Sequence, residues 1–301
     1  MITRIAETGD IPQIVDLLVT VFPHHARSSR HWEWSHLGGR GLAVVAEDDG
    51  RIVGHYSFGY QPFEWRGRTY VGGFGQQAAV HPAHRDLQTI VELIGFAEKA
   101  AKCDFVFAFP NENMAPIKER VLGWSQVLSF HTLTMPLEAF NPKADHSSVH
   151  RLTTFSGLDI PTCRDPEMLT PIIDAEWLEW RYIMHPLNHY ACFASADGKA
   201  VMVLKAYFGA EDRRGHILEL HGSTDESKIN LLSAAADYFQ FMGASSIHVW
   251  GQCKPNQALY EDLGFQPSSA TSTLYAKALT EGSQDVISAD WSFDMGVSDV
   301  F

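Results

Sequence analysis

The sequence predicts an α/β (α+β) fold made of two tandem domains, each a twisted mixed sheet flanked by helices. Strand-like and helix-like segments alternate along the first half in a mixed order, which is typical of an α/β sandwich with partly antiparallel strands. The 301 residues exceed one typical domain, because the usual size is about 150 residues. The second half also repeats landmarks of the first.

The chain opens with a predicted strand and helix. Residues Ile2 to Glu7 have a strand pattern, and Asp10 is a candidate N-cap for the helix that follows. The apolar residues of that helix recur at helical spacing, and they are Ile14, Leu17, Leu18 and Val21.

Three strands are predicted next. The runs Leu42 to Ala46 and Ile52 to Phe58 are apolar, and an acidic turn that ends at Gly50 separates them as in a hairpin. A third run, Tyr70 to Val80, ends at His81-Pro82.

A helix, a strand, a second helix and a final strand pair complete the first half. The first helix has one apolar face, formed by Ile90, Ile94, Ala97 and Ala101. Phe105 to Phe109 is a short buried strand, Asn113 to Leu122 is a helix, and Gly123-Trp124 begins a final strand pair. The predicted order is therefore β-α-β-β-β-α-β-α-β.

Three landmarks of the first half recur in the same order in the second. They are Glu33-Trp34 and Glu179-Trp180, Asp49-Gly50 and Asp197-Gly198, and Leu122-Gly123-Trp124 and Leu263-Gly264-Phe265. The first and last landmarks are separated by similar distances in the two halves. This pattern indicates duplication of a unit of about 145 residues and predicts domains at 1–145 and 146–301. The alternative is that two unrelated α/β domains share such turns.

Charge and hydropathy exclude several classes of function. The formal net charge of −13 predicts a surface that repels a phosphate backbone, so we expect no nucleic-acid partner. The first residues lack a secretory leader pattern, and no apolar run approaches the roughly 20 residues that span a bilayer. The sequence thus predicts a cytoplasmic protein without membrane insertion, and it leaves a homodimer open.

The sequence predicts no metal site. The four cysteines, Cys103, Cys163, Cys192 and Cys253, form no CxxC pair, and buried free thiols are the expectation. His24, His25, His31 and His36 cluster after the first helix, but their spacing matches no compact ligand motif. A place in a loop or a substrate pocket is predicted for them instead.

The C-terminal segment from Asp285 contains three large apolar residues among several acids. These are Trp291, Phe293 and Met295. They favour a strap packed across a domain over a disordered acidic tail.

Several segments match a known pattern of motifs. Val80 to Arg85 leads into a helix, Asn111-Glu112-Asn113 follows a strand, and Leu122-Gly123-Trp124 ends the next helix. Asn256 to Phe265 has the same character near the end of the second half. These segments resemble the GNAT superfamily of acyl-CoA-dependent N-acyltransferases. Trp177 to Tyr190 is similar to tandem-GNAT nucleotide-sugar N-acyltransferases and to related antibiotic-modifying acetyltransferases.

The resemblance implies transfer of an acyl group from acyl-CoA to a primary amine. A helix N-terminus would bind the pyrophosphate, a splayed strand pair would hold the pantetheine, and strand N–H groups would stabilise the oxyanion. The residues that the resemblance places at acyl-CoA are Ala79, Val80, Arg85, Asp86, Leu87, Gln88, Thr89, Ile90, Asn111 and Asn113.

The catalytic candidates are His81, Gln76, Gln77 and Tyr260. A base or a water relay must remove a proton from the ammonium, and His81 or a water oriented by Gln76 or Gln77 is the candidate. Tyr260 falls where the superfamily has its thiolate-protonating tyrosine; packing on its own sheet is the alternative role.

The sequence departs from the family pattern at both phosphate loops. Arg85 to Thr89 lacks the two loop glycines of the family, and Asp86 adds a negative charge there. The second half has Asp225 and Glu226 in the first helical turn, where acids stabilise a helix but repel a pyrophosphate. We expect acyl-CoA in the first half; the alternative is that both halves are degenerate.

The acceptor is expected to be a small-molecule amine, most simply a nucleotide-linked amino sugar. His24, His25 and Arg30 lie in the loop that covers the acceptor in relatives. Trp180, Arg181 and Tyr182 could clamp a base or sugar between the halves, or simply pack there. The alternatives are an acetyltransferase for an aminoglycoside-like or protein amine, which negative charge would attract, and a non-catalytic GNAT-like binding module.

Overall fold

The computed structural model describes residues 1–25, 27–142, 144, 147–161, 165–209, 212–252 and 254–298. The strands are β1 (Ile2–Ile5), β2 (Gly41–Asp48), β3 (Arg51–Trp65), β4 (Arg68–Val80), β5 (Phe105–Ala108), β6 (Ser125–Pro136), β7 (Val149–Leu152), β8 (Met168–Pro171), β9 (Ala191–Ser195), β10 (Ala200–Phe208), β11 (Arg213–Gly222), β12 (Ser246–Trp250), β13 (Gln266–Ala278) and β14 (Asp290–Trp291). The helices are α1 (Ile11–Val21), α2 (Ser29–His36), α3 (Leu87–Ala100), α4 (Ala115–Arg120), α5 (Ala175–Leu178), α6 (Asp225–Phe241), α7 (Lys254–Asp262) and α8 (Gln284–Ile287). A π-helical turn at Glu179–Ile183 follows α5.

The chain folds into two compact units. Unit 1 consists of residues 1–129 and 273–289, and unit 2 consists of residues 130–272 and the segment from Asp290. The predicted division at residue 145 differs from these units, because strand pairing assigns the segments otherwise. The end of β13 pairs with β5 in unit 1, and the end of β6 pairs with β12 in unit 2. Residues 145 and 146 themselves lie outside the described part.

Unit 1 is one mixed sheet with helices on both faces. Its strand order is β1-β2-β3-β4-β5-β13-β6, with β13 and β6 contributing only their unit 1 residues. Successive strand residues point to opposite faces, so Val44 packs in the core beneath α3 while Val45 packs in the core beneath α1. The predicted order of elements in the first half is confirmed, with α2 as an addition.

Unit 2 repeats this plan. Its sheet has the order β13-β6-β12-β11-β10-β9-β7, and α6 packs on it through Leu231, Leu232, Ala235 and Phe239. A short parallel pair of β8 and β14 lies apart from this order. Each unit thus contains a strand, a helix and a parallel strand in succession: β4-α3-β5 in unit 1 and β11-α6-β12 in unit 2. The tandem α/β fold predicted from the sequence is confirmed.

Two further expectations concern cysteines and membranes. Cys103 and Cys192 are buried and free, as predicted, and Cys163 and Cys253 lie outside the described residues. Within the described part of the chain, no helix combines the length and apolar character needed to cross a bilayer.

Candidate active site

A cleft opens in unit 1 where β4 and β5 separate. The two strands pair in parallel only from Gly72–Phe74 to Phe105–Phe107. β5 ends at Ala108, but β4 continues to Val80 with its other edge paired to β3. The edge of β4 from Gly75 to Val80 therefore turns toward the gap that β5 leaves. We call this gap the first cleft.

A β-bulge reshapes β4 beside the first cleft. Ser57 of β3 pairs with Gln76 and His55 pairs with Ala79, so β4 has an extra residue between them. Gln77 has a φ of 54°, a left-handed conformation that is rare for a residue with a side chain. The Ser57 hydroxyl donates to the Gln76 carbonyl at 3.2 Å. A bulge of this kind redirects backbone groups away from the ladder.

Two buried histidines stand behind the bulge. The His55 Nδ1–H donates to the Gln77 carbonyl at 3.0 Å, and the His55 Nε2 accepts from the Trp32 indole at 3.2 Å. These bonds define the neutral tautomer of His55, and burial lowers its pKa to about 4. The His36 Nδ1–H donates to the Trp32 carbonyl at 2.8 Å. Burial, followed by the nearby His55, lowers the pKa of His36 to about 3.

Two buried acceptor atoms near the bulge have no hydrogen-bond donor among the described residues. They are the His36 Nε2 and the Gln77 Oε1. The ring of His36 lies edge-to-face with that of His55, with centroids 6.1 Å apart, and His55 binds the backbone of Gln77. Buried polar atoms nearly always have partners, so these two acceptors are suited to a ligand that donates hydrogen bonds.

A buried lysine lies on the other face of the sheet, at the point where the cleft begins. The Lys118 Nζ donates to the Tyr56 hydroxyl at 3.2 Å and lies 3.4 Å from the centre of the Trp124 ring. Burial lowers the pKa of Lys118 to about 7. A Cβ on Gly75 would overlap the Tyr56 hydroxyl, so that hydroxyl lies directly against β4. Sequence reasoning missed His55, Tyr56 and Lys118, because these residues belong to no recognisable motif and come together only in the folded chain.

The N-terminus of α3, where the sequence predicts the pyrophosphate, is capped by its own chain. The Asp86 carboxylate accepts from the Thr89 N–H at 2.8 Å and from the Thr89 hydroxyl at 3.0 Å. These bonds lower the pKa of Asp86. Arg85, Leu87 and Gln88 are exposed, whereas Thr89 and Ile90 are buried. The last two can offer a ligand only their backbone.

The other predicted acyl-CoA residues lie at strand ends and turns. Ala79 and Val80 point into the two cores of unit 1. The Asn111 side chain accepts from the N–H groups of Asn113 and Met114, at 3.2 and 3.0 Å, and so shapes the turn into α4. Asn111 and Asn113 are exposed beyond the end of β5.

His81 has a structural role at the end of β4. Its Nδ1 accepts from the Ala83 N–H at 3.2 Å and caps the turn Pro82–His84. This bond uses the lone pair that a base would need. His24, His25 and Arg30 are exposed in the segment around the end of α1 and the start of α2.

Unit 2 contains a second, covered cleft. β11 and β12 pair in parallel only from Arg214–His216 to Ser246–His248, after which β11 continues to Gly222. The segment Asp290–Ser298, which we call the strap, packs against this region. Its residues Trp291, Phe293 and Met295 are buried, and the Phe293 ring lies edge-to-face with Trp250, with centroids 6.0 Å apart.

A buried polar network joins the strap to β11. The Tyr182 hydroxyl donates to the Glu219 Oε1 at 2.7 Å, and the His221 Nε2–H donates to the Glu219 Oε2 at 2.8 Å. The Arg181 guanidinium donates to the Ser298 carbonyl at 2.6 Å. Burial and the neighbouring Glu219 raise the pKa of Asp294 to about 7. Burial alone would lower the pKa of His221, but the bond to Glu219 and its charge raise it.

This network changes the interpretation of the predicted acceptor clamp. Arg181 and Tyr182 are buried inside unit 2, where they bind the strap and Glu219 rather than presenting their polar ends to solvent. Trp180 is half-buried and its ring lies near that of Trp177. Tyr260 is 1% exposed and packs against Phe265 in the core of unit 2. The packing alternative for Tyr260 therefore has direct structural support.

Comparison with known proteins agrees with this geometry. Residues 3–125 match the model of the acetyltransferase (GNAT) domain. No curated protein matches the chain. Among solved structures, a GCN5-related N-acetyltransferase from Anabaena variabilis ATCC 29413 is similar with a TM-score of 0.67 at 11% identity, over 93% of this chain and 73% of that one.

Two further solved structures are similar over most of the chain. A conserved protein of unknown function from Enterococcus faecalis V583, described as a probable N-acyltransferase, has a TM-score of 0.65 at 14% identity, covering 92% of this chain and 72% of that one. Saccharomyces cerevisiae N-myristoyltransferase with bound myristoyl-CoA has a TM-score of 0.57 at 10% identity, covering 92% and 78%.

The fold and the splayed parallel strands are of the GNAT type. Residues 3–125, which match the acetyltransferase (GNAT) domain model, form most of unit 1.

Proposed function

We propose that this protein transfers an acyl group from acyl-CoA to a primary amine, with acyl-CoA in the first cleft. The observation that supports this most directly is the separation of β4 from β5 after Phe74, beside a bulge at Gln77. Backbone groups left unpaired along a strand edge can bind a pantetheine amide. The same groups can stabilise an oxyanion.

The acceptor is proposed to be an amine that enters on the side of the bulge. The unpartnered acceptors His36 Nε2 and Gln77 Oε1 require hydrogen-bond donors. An ammonium or amino group supplies such donors. Both histidines behind the bulge are held neutral by burial, so they can accept a hydrogen bond without repelling a cation.

Proton transfer is proposed to proceed through water. His81 uses its Nδ1 lone pair to cap a turn, and the lowered pKa values of His36 and His55 make them weak bases. Gln76 and Gln77 can orient a water that accepts the ammonium proton. The nitrogen lone pair then attacks the thioester carbonyl, the C–S bond breaks, and CoA leaves as a thiolate that takes up a proton.

The finer proposal for the acceptor is a nucleotide-linked amino sugar, which rests on the resemblance of Trp177 to Tyr190. An aminoglycoside-like or protein amine is the second candidate, and the net charge of −13 favours it. The capped N-terminus of α3 favours a third candidate, a non-catalytic GNAT-like binding module. A homodimer and a cytoplasmic location stay predictions.

Calorimetric titration of the full chain with CoA and acetyl-CoA tests the proposal. Gln88→Glu adds one negative charge at the exposed first turn of α3, and we expect it to weaken binding about fivefold at low salt. Gln240→Glu makes the same change at an exposed position of α6 in unit 2 and serves as the control. Absence of binding at millimolar CoA would refute the acyltransferase proposal.

The acceptor class is then tested by release of the CoA thiol. Acetyl-CoA is incubated with a nucleotide-linked amino sugar, an aminoglycoside or a lysine peptide. Turnover with the first supports the finer proposal, and turnover with either of the others replaces it. Binding of CoA without turnover on any amine supports the binding module.

A further inference from the structure

Three side chains with metal-binding atoms converge in unit 2. Glu219 and His221 are two residues apart on β11, so they point to the same face of the strand. Asp294 belongs to the strap. One donor atom from each residue lies within 4.8 Å of the others. The sequence gives no sign of this site, because Asp294 is far from the other two residues along the chain.

The cluster concentrates negative charge in a buried place. Glu219 is 2% exposed and Asp294 is 8% exposed. Buried carboxylates need a cation, a proton or several donors to be stable. Arg181 donates to the Ser298 carbonyl, and Lys228 binds Asp225 and Asn256. The His221 imidazole, by contrast, binds the Glu219 Oε2 at 2.8 Å.

Outer groups hold the donors in position. The Tyr182 hydroxyl binds the Glu219 Oε1, which leaves the Oε2 directed at His221. The Asn256 side chain and the Leu220 backbone N–H bind the Asp294 carboxylate. Such hydrogen bonds from surrounding residues typically orient metal ligands.

The backbone of the strap lies directly against this cluster at Gly296, where there is no room for a side chain. A Cβ on Gly296 would overlap both the Glu219 carboxylate and the Tyr182 hydroxyl. The third ligand therefore comes from a segment that is packed in place rather than from a loose tail.

We propose that Glu219, His221 and Asp294 form a site for a divalent cation of the Zn²⁺ class, which ties the strap to β11. One imidazole nitrogen and two carboxylate oxygens are a donor set that Zn²⁺ accepts, with a further position left for water. The cation takes the place of the proton between His221 and Glu219, and that proton goes to solvent. This site is independent of acyl transfer in unit 1.

The test uses the full chain, freed of metal with a chelator and dialysed. Zn²⁺ is titrated in competition with a chromogenic chelator, and Co²⁺ is added separately to record its ligand-field spectrum. We expect one Zn²⁺ per chain with a Kd below about 10 µM, and a rise in the melting temperature on binding.

Matched variants locate the site. His221→Gln and Asp294→Asn should each weaken Zn²⁺ binding at least about tenfold and abolish the thermal shift. His248→Gln, on β12 of the same unit, should leave both unchanged. Circular dichroism establishes that each variant is folded.

Two results would overturn the proposal. One is a folded wild-type chain that does not bind Zn²⁺ or Co²⁺ saturably. The other is an equal loss of binding in His248→Gln, which would place the metal elsewhere.

Discussion

The Asp86 carboxylate accepts a hydrogen bond of 2.8 Å from the backbone N–H of Thr89 at the start of α3. This is the helix end at which a GNAT-type protein is expected to bind pyrophosphate. A carboxylate at an N-cap stabilises the helix, but it also competes with a ligand anion for the same N–H groups. Cofactor binding and helix stability are therefore in conflict at Asp86.

This conflict predicts opposite effects for two substitutions of Asp86. Asp86→Asn keeps a good capping side chain and removes the charge, so stability should stay near wild type while CoA affinity rises about fivefold at low salt. Asp86→Ala loses the cap and should cost about 1 kcal/mol of unfolding free energy. Calorimetry with CoA and chemical denaturation measure the two effects. Unchanged CoA affinity in Asp86→Asn would place the pyrophosphate elsewhere.

The burial of Lys118 leads us to expect an unfolding free energy that depends on pH. Burial lowers its pKa from 10.5 to about 7 in the folded chain. Between those values the unfolded chain keeps this proton and the folded chain releases it, so the contribution to stability rises with pH. We expect the wild type to gain up to about 1.4 kcal/mol per pH unit relative to Lys118→Met.

Chemical denaturation of both proteins between about pH 7 and pH 9 measures this difference. Lys118→Met has a side chain of similar length without the buried charge. A difference between the two proteins that does not change with pH would mean that Lys118 stays protonated in the folded state.

We expect a substitution of Gln77 to affect acceptor binding much more than the stability of the fold. Its Oε1 has no donor among the described residues, so Gln77→Ala removes no hydrogen bond of that atom and should change the unfolding free energy by less than about 1 kcal/mol. If the atom binds the amine, the KM for the acceptor should rise about tenfold. Steady-state kinetics with the acceptor identified above measures this. An unchanged KM would remove Gln77 from the acceptor site.

We expect a side chain at Gly296 to disturb the packing of the strap against unit 2. Gly296→Ala places a methyl group against Glu219 and Tyr182, and we expect a loss of about 1–3 kcal/mol together with faster proteolysis of the strap. Gly95→Ala is the matched control, because Gly95 lies inside α3 with open space around it. That change should stabilise by about 0.5–1 kcal/mol. Equal effects of the two substitutions would contradict close packing at Gly296.

The local elements of this protein were within reach of sequence reasoning. The hairpin at Asp49-Gly50 and the helix with Ile90 and Ile94 on one face appear where the pattern predicts them. The reason is that turn chemistry and hydrophobic period act over a few residues. The resemblance of Val80 to Arg85 led to the correct superfamily for the same reason, since a strand that ends at the start of a helix is a local motif.

The sites were harder to predict from the sequence, because their residues come together only in the folded chain. His36, His55 and Gln77 come from one helix and two strands. Arg181 and Tyr182 were predicted to clamp a ligand from their residue types, but what they bind depends on the path of the strap. A polar side chain has the same appearance in a sequence whether it faces a ligand or a buried partner.

The sequence by itself determined the order of strands and helices in the first half, the tandem α/β fold, the negative charge and the resemblance to GNAT acyltransferases. Tertiary structure alone decided that the end of β13 completes the sheet of unit 1, that Arg181 and Tyr182 bind the strap and Glu219, and that the strap covers the second cleft. These depend on hydrogen bonds and packing between residues far apart in the chain. Such contacts form through the whole fold, and no local pattern specifies them.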